Sequence, residues 1–252
     1  YPDVDWQKEL FKDYAMSYNA NVNIAGGTKA VKYYAAIDYQ HEGDLFREWN
    51  NNRGYTSGYG FNRINVRSNL DFQLTKTTTL KANLSGSHGI RKSPYGLEKG
   101  SWAETQLWQA AYSAPHDPFL PQYSDGAWGY FPKDTQGSPN SVTNLALSGE
   151  QSTTTTRINT DFTLEQDLSF ITKGLKASAL VSWDNVFVEA SRGINDLNHA
   201  AQYKYIDPVT GVVTYKEKPA GHNNFDFVET IAWKTDPGAL NNNLTQRNLF
   251  YQ

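Results

Sequence analysis

"NRINVRSNLDFQLTKTTTLKANLSG", residues 62–86, is the stretch whose reading decides the fold. Its even positions Ile64, Val66, Leu70, Phe72 and Leu74 are apolar, and its odd positions Arg63, Asn65, Arg67, Asn69, Asp71 and Gln73 are polar. After "TKTT" (75–78) the alternation resumes, with Leu80, Ala82 and Leu84 apolar and Lys81, Asn83 and Ser85 polar. A period of two gives a strand with one apolar and one polar face. Two such runs joined by a four-residue polar turn spell a β-hairpin. Each run lasts about 11 residues, roughly twice the usual strand.

The same pattern recurs on both sides. Upstream, Tyr18, Ala20, Val22 and Ile24 alternate with Asn19, Asn21 and Asn23. "GGTKA" (26–30) then turns the chain into Val31, Tyr33, Ala35, Ile37 and Tyr39. Downstream, Ile158, Phe162 and Leu164 oppose Arg157, Asn159, Asp161 and Glu165. "SFITKG" (169–174) turns into Leu175, Ala177, Ala179, Val181, Trp183 and Phe187. A closing run, "LTQRNLFYQ" (244–252), reads as a further strand, and "AQYKYIDPVTGVVTYKEK" (201–218) as a hairpin turning at Asp207-Pro208. Two short helices are expected. One lies in 3–15, with Trp6, Leu10 and Phe11 on one side. The other lies in 101–112, with Ser101 as N-cap and Glu104 three residues on. Residues 113–140 are rich in Pro and Gly and read as irregular.

The connections alternate in length. Those at 26–30, 75–78 and 169–174 are short, whereas 42–57 is longer and 91–155 and 189–243 are very long. Connections above about 15 residues are unusual inside a compact domain. A transmembrane barrel has this asymmetry, with short periplasmic turns and long extracellular loops. Aromatic residues near strand ends (Tyr33, Tyr34, Tyr55, Tyr59, Phe61, Trp183 and Phe187) suit its interfacial girdles. The alternative is a soluble extracellular carbohydrate-binding β-sandwich module, whose apolar face is covered by a second sheet and whose aromatic loop binds glycan. In the barrel reading the even face of 62–86 meets lipid and the odd face a wet lumen.

Composition narrows the function classes. Aromatics make up 14% of the 252 residues, which argues against disorder despite a mean hydropathy of −0.65. The net charge of −3, with no basic stripe, speaks against nucleic acid as a partner. With no cysteine there is no disulfide or thiolate metal site. No apolar run approaches the roughly 18 residues of a membrane helix, a limit that does not apply to barrel strands. The five histidines (His41, His88, His116, His199 and His222) have no ligand spacing, so no metal is expected. Asp117, Asp125, Asp134 and Glu150 share a loop region, but a glycosidase needs two carboxylates held about 5–10 Å apart, and the sequence shows no such pairing. No nucleotide or serine-hydrolase fingerprint occurs. No cofactor and no catalysis are therefore expected.

The residues singled out for ligand or partner contact are Trp102, Trp108, Tyr123, Trp128, Tyr130 and Phe131, together with Tyr112, all within about 30 residues of the longest loop. Trp128 and Tyr130, which flank Gly129, are expected to be the most exposed. The charges Arg63, Arg67, Asp71, Arg157 and Asp161 are expected to line the lumen.

Three longer segments carry a resemblance. "VDWQKELFKDYAMSYNANVNIAGGTKAVKYYAAIDYQHEG", "FNRINVRSNLDFQLTKTTTLKANLSG" and "DLSFITKGLKASALVSWD" resemble, in order, barrel segments of SusC/RagA-type TonB-dependent outer-membrane transporters, and "RNLFYQ" is similar to a further strand start. The likeness is thin in the loops. It implies an all-β fold: part of a large antiparallel transmembrane barrel of 22 strands, plugged by an N-terminal domain, in the bacterial outer membrane. It also implies import of glycans or peptides beneath a SusD-like lipoprotein, driven by the TonB complex. Plug and TonB-contacting segments are not found in these residues, and about seven long strands are a third of such a barrel. The chain is thus expected to be an internal piece of the transporter, unable to close alone.

Overall fold

The computed structural model describes residues 1–97, 100, 102–133, 140–190 and 193–217, and the strand positions 226–227, 232–234 and 248–251. The elements in order are α1 (Trp6–Leu10), β1 (Ser17–Gly27), β2 (Val31–Glu42), β3 (Gly60–Gln73), β4 (Thr78–Ser93), α2 (Trp102–Ser113), β5 (Trp128–Gly129), α3 (Ser141–Ala146), β6 (Gln151–Asp167) and β7 (Lys176–Ala190). They are followed by β8 (Ile194–Asn195), β9 (Tyr203–Ile206), β10 (Val213–Tyr215), β11 (Asp226–Phe227), β12 (Ala232–Lys234) and β13 (Asn248–Tyr251). The six long strands form one antiparallel sheet in the order β1-β2-β3-β4-β6-β7, with β12 and β13 on the outer edge of β7. Two minor sheets, β10-β9-β5 and β11-β8, belong to the loops.

The register explains the alternation. Val22, Ile37, Val66, Gly86 and Ile158 share one cross-strand rung, and Val31, Phe72, Leu80, Leu164 and Ala179 another. From the Phe72 rung to the Ile64 rung is eight residues, about 26 Å along the strand and roughly 20 Å along a barrel axis at ~40° tilt. That height is comparable with the ~25 Å apolar band of an outer-membrane barrel. Nothing among the described residues packs on this face: Val22, Ile37, Val66 and Ile158 are between 46% and 73% exposed. Among the described residues no second sheet covers it, as the sandwich alternative would require.

The expected girdle needs correction. Tyr33, Trp183 and Phe187 face the apolar side, but Tyr34 and Phe61 lie on the polar face, where the Arg63 guanidinium sits 5.8 Å over the Phe61 ring. Tyr55 is buried in a loop. The upper edge of the apolar band is marked instead by Tyr18, Tyr39 and His41. The Tyr18 ring lies 5.9 Å from that of Tyr39 and 5.0 Å from that of His41, and Tyr39 and His41 both bond Asn62 Oδ1.

The turns at 28–30, 74–77 and 168–175 all lie at one end of the sheet. At the first, Thr28 Oγ1 accepts the N–H groups of Ala30 and Val31. At the last, Gly174 takes a φ of +84°, which favours glycine. Every long connection lies at the other end, and α1 lies there too, tied on by Lys12 N–H to Leu45 O and Arg47 N–H to Leu10 O, both 2.7 Å. Strand β6 starts at Gln151, earlier than the alternation indicates, because 153–156 are all threonine. Threonine favours strands without being apolar, so it hides the period. The hairpin turning at Asp207-Pro208 forms as expected, with the Asp207 carboxylate accepting the N–H groups of Val209 and Thr210.

Candidate functional site

The long connections fold together with α1 into a cluster that caps one end of the sheet. Its apolar centre includes Trp6, Leu10, Leu107, Trp128, Val142 and Leu145. Helix α1 starts at Asp5, whose carboxylate accepts the Lys8 N–H, and is held by Trp6 Nε1–H to Pro115 O and by Trp49 Nε1–H to Glu9 O, both 2.9 Å. Helix α3 falls in a stretch read as loop. Asn140 caps it by accepting the N–H groups of Val142 and Thr143, and Val142, Leu145 and Ala146 bury the i, i+3, i+4 face.

A polar knot locks three loops together. Asp196, 1% exposed, accepts Arg53 Nη2–H at 2.6 Å and the Tyr55 hydroxyl at 2.8 Å, and also pairs with Arg53 Nε. The Tyr55 oxygen accepts the Gly149 N–H, and Ser57 bonds Ser148. Burial, then the Asp196 carboxylate, pushes the Tyr55 hydroxyl far above the ordinary phenol value, so it stays a donor. Half-buried His199 lies beside the knot. Burial lowers its imidazole below the ordinary value near 6.5; Asp196 opposes this, and Arg53 and Lys216 reinforce it. A base lowered on folding binds its proton more readily when unfolded, so stability is full above about pH 6.5 and falls as pH drops below it. The loop cluster is therefore expected to become more protease-sensitive on acidification through this window, and His199→Gln should flatten that dependence. An unchanged profile in the variant would contradict the assignment.

Beneath the cluster, at the head of the polar face, lies a concavity of about 680 Å³. Its apolar wall is a run of rings. Trp108 lies 5.8 Å from Phe11 and 5.9 Å from Phe46, and Phe46 lies 5.6 Å from Tyr59; outside the concavity, exposed Tyr112 stacks on Trp108 at 6.4 Å. Its polar wall carries Asp44, Arg91, Glu104, Gln151 and Thr153. Asp44 shapes the loop by accepting the Phe46 and Tyr59 N–H groups at 2.9 and 2.6 Å. Burial raises the Tyr59 hydroxyl, with Glu104 and Asp44 adding to the effect. Open ring faces beside a few charged groups suit the apolar faces of sugars or the side chains of peptides.

Of the expected contact residues, Trp108 lines this concavity, and Trp102, 77% exposed, stands on the same helix as Tyr112. The other four gather elsewhere. Trp128, expected to be exposed, is 3% exposed. Its flanking Gly129 serves close packing rather than display: a Cβ there would lie 1.9 Å from the Leu120 carbonyl oxygen, and β5 is pinned alongside β9. Tyr130 is half-buried, Phe131 packs edge-on against Tyr205 at 5.5 Å, and Tyr123 lies 4.6 Å below the Lys204 ammonium. Phe11 and Phe46 were not singled out for contact, and Tyr59, expected in the girdle, lines the concavity instead. Leu45, Phe46, Trp49 and Tyr55 within the mostly polar stretch 42–57 were the available signal. The loop carboxylates do not converge: Asp125 pairs with Lys204 at 2.5 Å and Glu150 with Lys92 at 2.8 Å, whereas Asp134 and the expected cap Ser101 lie outside the described residues.

No family model matches the sequence, and no curated protein matches it. Solved structures do. The RagAB peptide importer in its closed-closed state is similar over 77% of this chain at 21% identity and a TM-score of 0.51. The same importer in its open-open state is similar over 79% at 21% identity and a TM-score of 0.53. The likeness establishes the fold. The sheet is a section of antiparallel barrel wall of the kind found in those importer chains, as the resemblance to SusC/RagA-type transporters implied. The chain spans about a fifth of the length of the RagAB chains it matches, 20% and 21%.

Proposed function

We propose that these residues belong to the wall and outer loops of a bacterial outer-membrane transporter that imports oligopeptides or glycans. In this reading, a surface lipoprotein of the SusD type covers the loop end, and the TonB complex drives transport through parts of the protein outside these residues. The observation that carries the reading is the apolar face, uncovered by any described residue across six long strands and comparable in height with the apolar band of an outer-membrane barrel. Unpaired strand edges in lipid cost several kcal/mol per polar group, so the outer edge of β1 and the stretches of β7 not paired with β12 or β13 require further wall. The ring-lined concavity is then the outer mouth of the path, where the substrate first stacks. The solved relatives in fold are described as peptide importers, which favours oligopeptides over glycans.

The test uses the full-length protein in its own cells. Trp108→Ala combined with Tyr112→Ala should lower oligopeptide uptake about tenfold while the amount in the outer membrane stays constant. Unchanged uptake, or a full-length protein recovered without detergent, would overturn the proposal.

A further inference from the structure

The polar face holds a pattern that the alternation alone does not reveal. Going down from the mouth, four successive cross-strand rungs each present one arginine. Arg91 stands between Phe61 and Thr153, Arg63 opposite Gly89, Arg157 opposite Ser87, and Arg67 opposite Ser85. Rungs two residues apart are about 6.6 Å apart, so the four span roughly 20 Å. All sit on three adjacent strands. The middle strand, β4, places only Gly89, Ser87 and Ser85 between them, which leaves a trough with Arg63 and Arg67 on one bank and Arg157 on the other. Over Ser85 and Ser87 this trough deepens into a depression of about 380 Å³ that both Arg67 and Arg157 line.

None of the four arginines forms an ion pair among the described residues. Arg63 Nη2–H bonds the neutral Gln40 amide oxygen at 2.8 Å, and its Nε is buried without a partner. The nearest wall carboxylates are Glu42, which shares Arg91's rung across Phe61 and accepts Gln40 Nε2–H at 2.7 Å, Asp38, which shares Arg157's rung and accepts Asn65 Nδ2–H at 2.6 Å, and Asp184, which shares Arg67's rung across Asn159; Asp44 and Glu104 stand at the head. Lower on the same face the acids are matched: Lys81 pairs with Glu165 at 2.6 Å, and Ser182 bonds Asp161. The four cations thus stand on β3, β4 and β6, while the acids at the same height stand on the flanking strands β2 and β7. A wall that was merely solvated would gain nothing from stacking four like charges at one-rung spacing, since each raises the others' energy. An arriving anion relieves that repulsion. Guanidinium forks beside asparagine amides match a carboxylate in particular.

We propose that Arg91, Arg63, Arg157 and Arg67 form a descending binding track for carboxylates of the imported solute, so that the transporter prefers acidic cargo. The proposal rests on the barrel reading above. Its test is the binding of acetylated, amidated hexapeptides to the purified full-length protein in detergent, one peptide carrying three Asp and another three Asn in an otherwise identical glycine-serine frame. The Asp peptide should bind at least about tenfold more tightly at low salt, and the preference should shrink as salt rises. Arg67→Gln with Arg157→Gln should erase the preference while leaving Asn-peptide binding unchanged. Arg67→Lys with Arg157→Lys, which preserves charge and guards against a folding defect, should retain part of it. Equal binding of the two peptides by the unaltered protein would overturn the proposal; so would a preference that survives the Gln pair. Equal binding is also what a carboxylate of the protein's own interior occupying the track would give. Failure of the barrel reading would show separately, as a full-length protein soluble without detergent.

Discussion

Asp196→Ala releases the loop cluster from its anchorage while the six long strands remain paired. The substitution leaves the Arg53 guanidinium, whose side chain is only 12% exposed, without its carboxylate, and it removes the acceptor of the Tyr55 hydroxyl. Breaking one side of a buried pair costs about 3–5 kcal/mol, because the remaining charge stays desolvated. The other polar ties among the three segments joined there, 51–57, 145–150 and 194–199, include Asn51 Nδ2–H to Ala146 O at 2.9 Å, Ser57 to Ser148 and to Gly149 O, and the paired backbone bonds of Glu150 and Ile194, but none of them neutralises the Arg53 charge. The expected result in the full-length protein is rapid proteolysis within 94–150 and 191–217, with sheet circular dichroism unchanged. Asp196→Asn, which keeps an acceptor for Tyr55, should cost less. If the Ala variant resists protease as well as the unaltered protein, the knot does not hold the loops.

The second large effect concerns the apolar face. Val66 lies inside the apolar band, one rung below the Ile64 rung at its upper edge, between Ile37 and Gly86, and is 47% exposed. An arginine on the lipid face destabilises a barrel by about 2–4 kcal/mol at the bilayer midplane and by about 0–1 kcal/mol near the interfaces, so a cost between the two is expected here. Val66→Arg should therefore lower the denaturant midpoint and the folded yield of the full-length protein. Asn65→Arg, one residue away on the polar face, should be nearly neutral. The contrast matters more than either value, since a sandwich core and a lipid-facing wall both reject Arg at 66. Only the wall regains tolerance where the same strand nears the girdle, at Asn62.

Much of this architecture was legible in residues 62–86, because a period of two over two long runs leaves little choice of face. The positions of the short turns followed from "GGTKA", "TKTT" and "SFITKG". What escaped was tertiary. Trp128 looked exposed beside glycine, yet that glycine makes room for the Leu120 carbonyl and draws the tryptophan into the core. Tyr55 looked like a girdle residue, yet its hydroxyl bonds an aspartate 141 positions along the chain. The mouth joins Phe11, Phe46, Tyr59 and Trp108 from three separate segments, and no local period connects them. Trp108 was found only because aromatic residues were dense around it. The arginine track is a third case: Arg63, Arg67 and Arg157 were visible as polar-face residues, but Arg91 falls in a stretch that reads as loop, whereas β4 runs on to Ser93, and the one-per-rung arrangement depends on the register between β3, β4 and β6.

The central claim, that the even face of 62–86 meets lipid and the odd face water, is tested most directly by spin labels placed singly at positions 64 to 67 of the full-length protein in lipid bilayers. The account predicts that labels at 64 and 66 collide freely with dissolved oxygen and scarcely with a water-soluble nickel chelate, and that labels at 65 and 67 do the reverse. Labels at 64 and 66 shielded from both probes would instead place that face in a buried core, and the reading of this chain as membrane wall would fall.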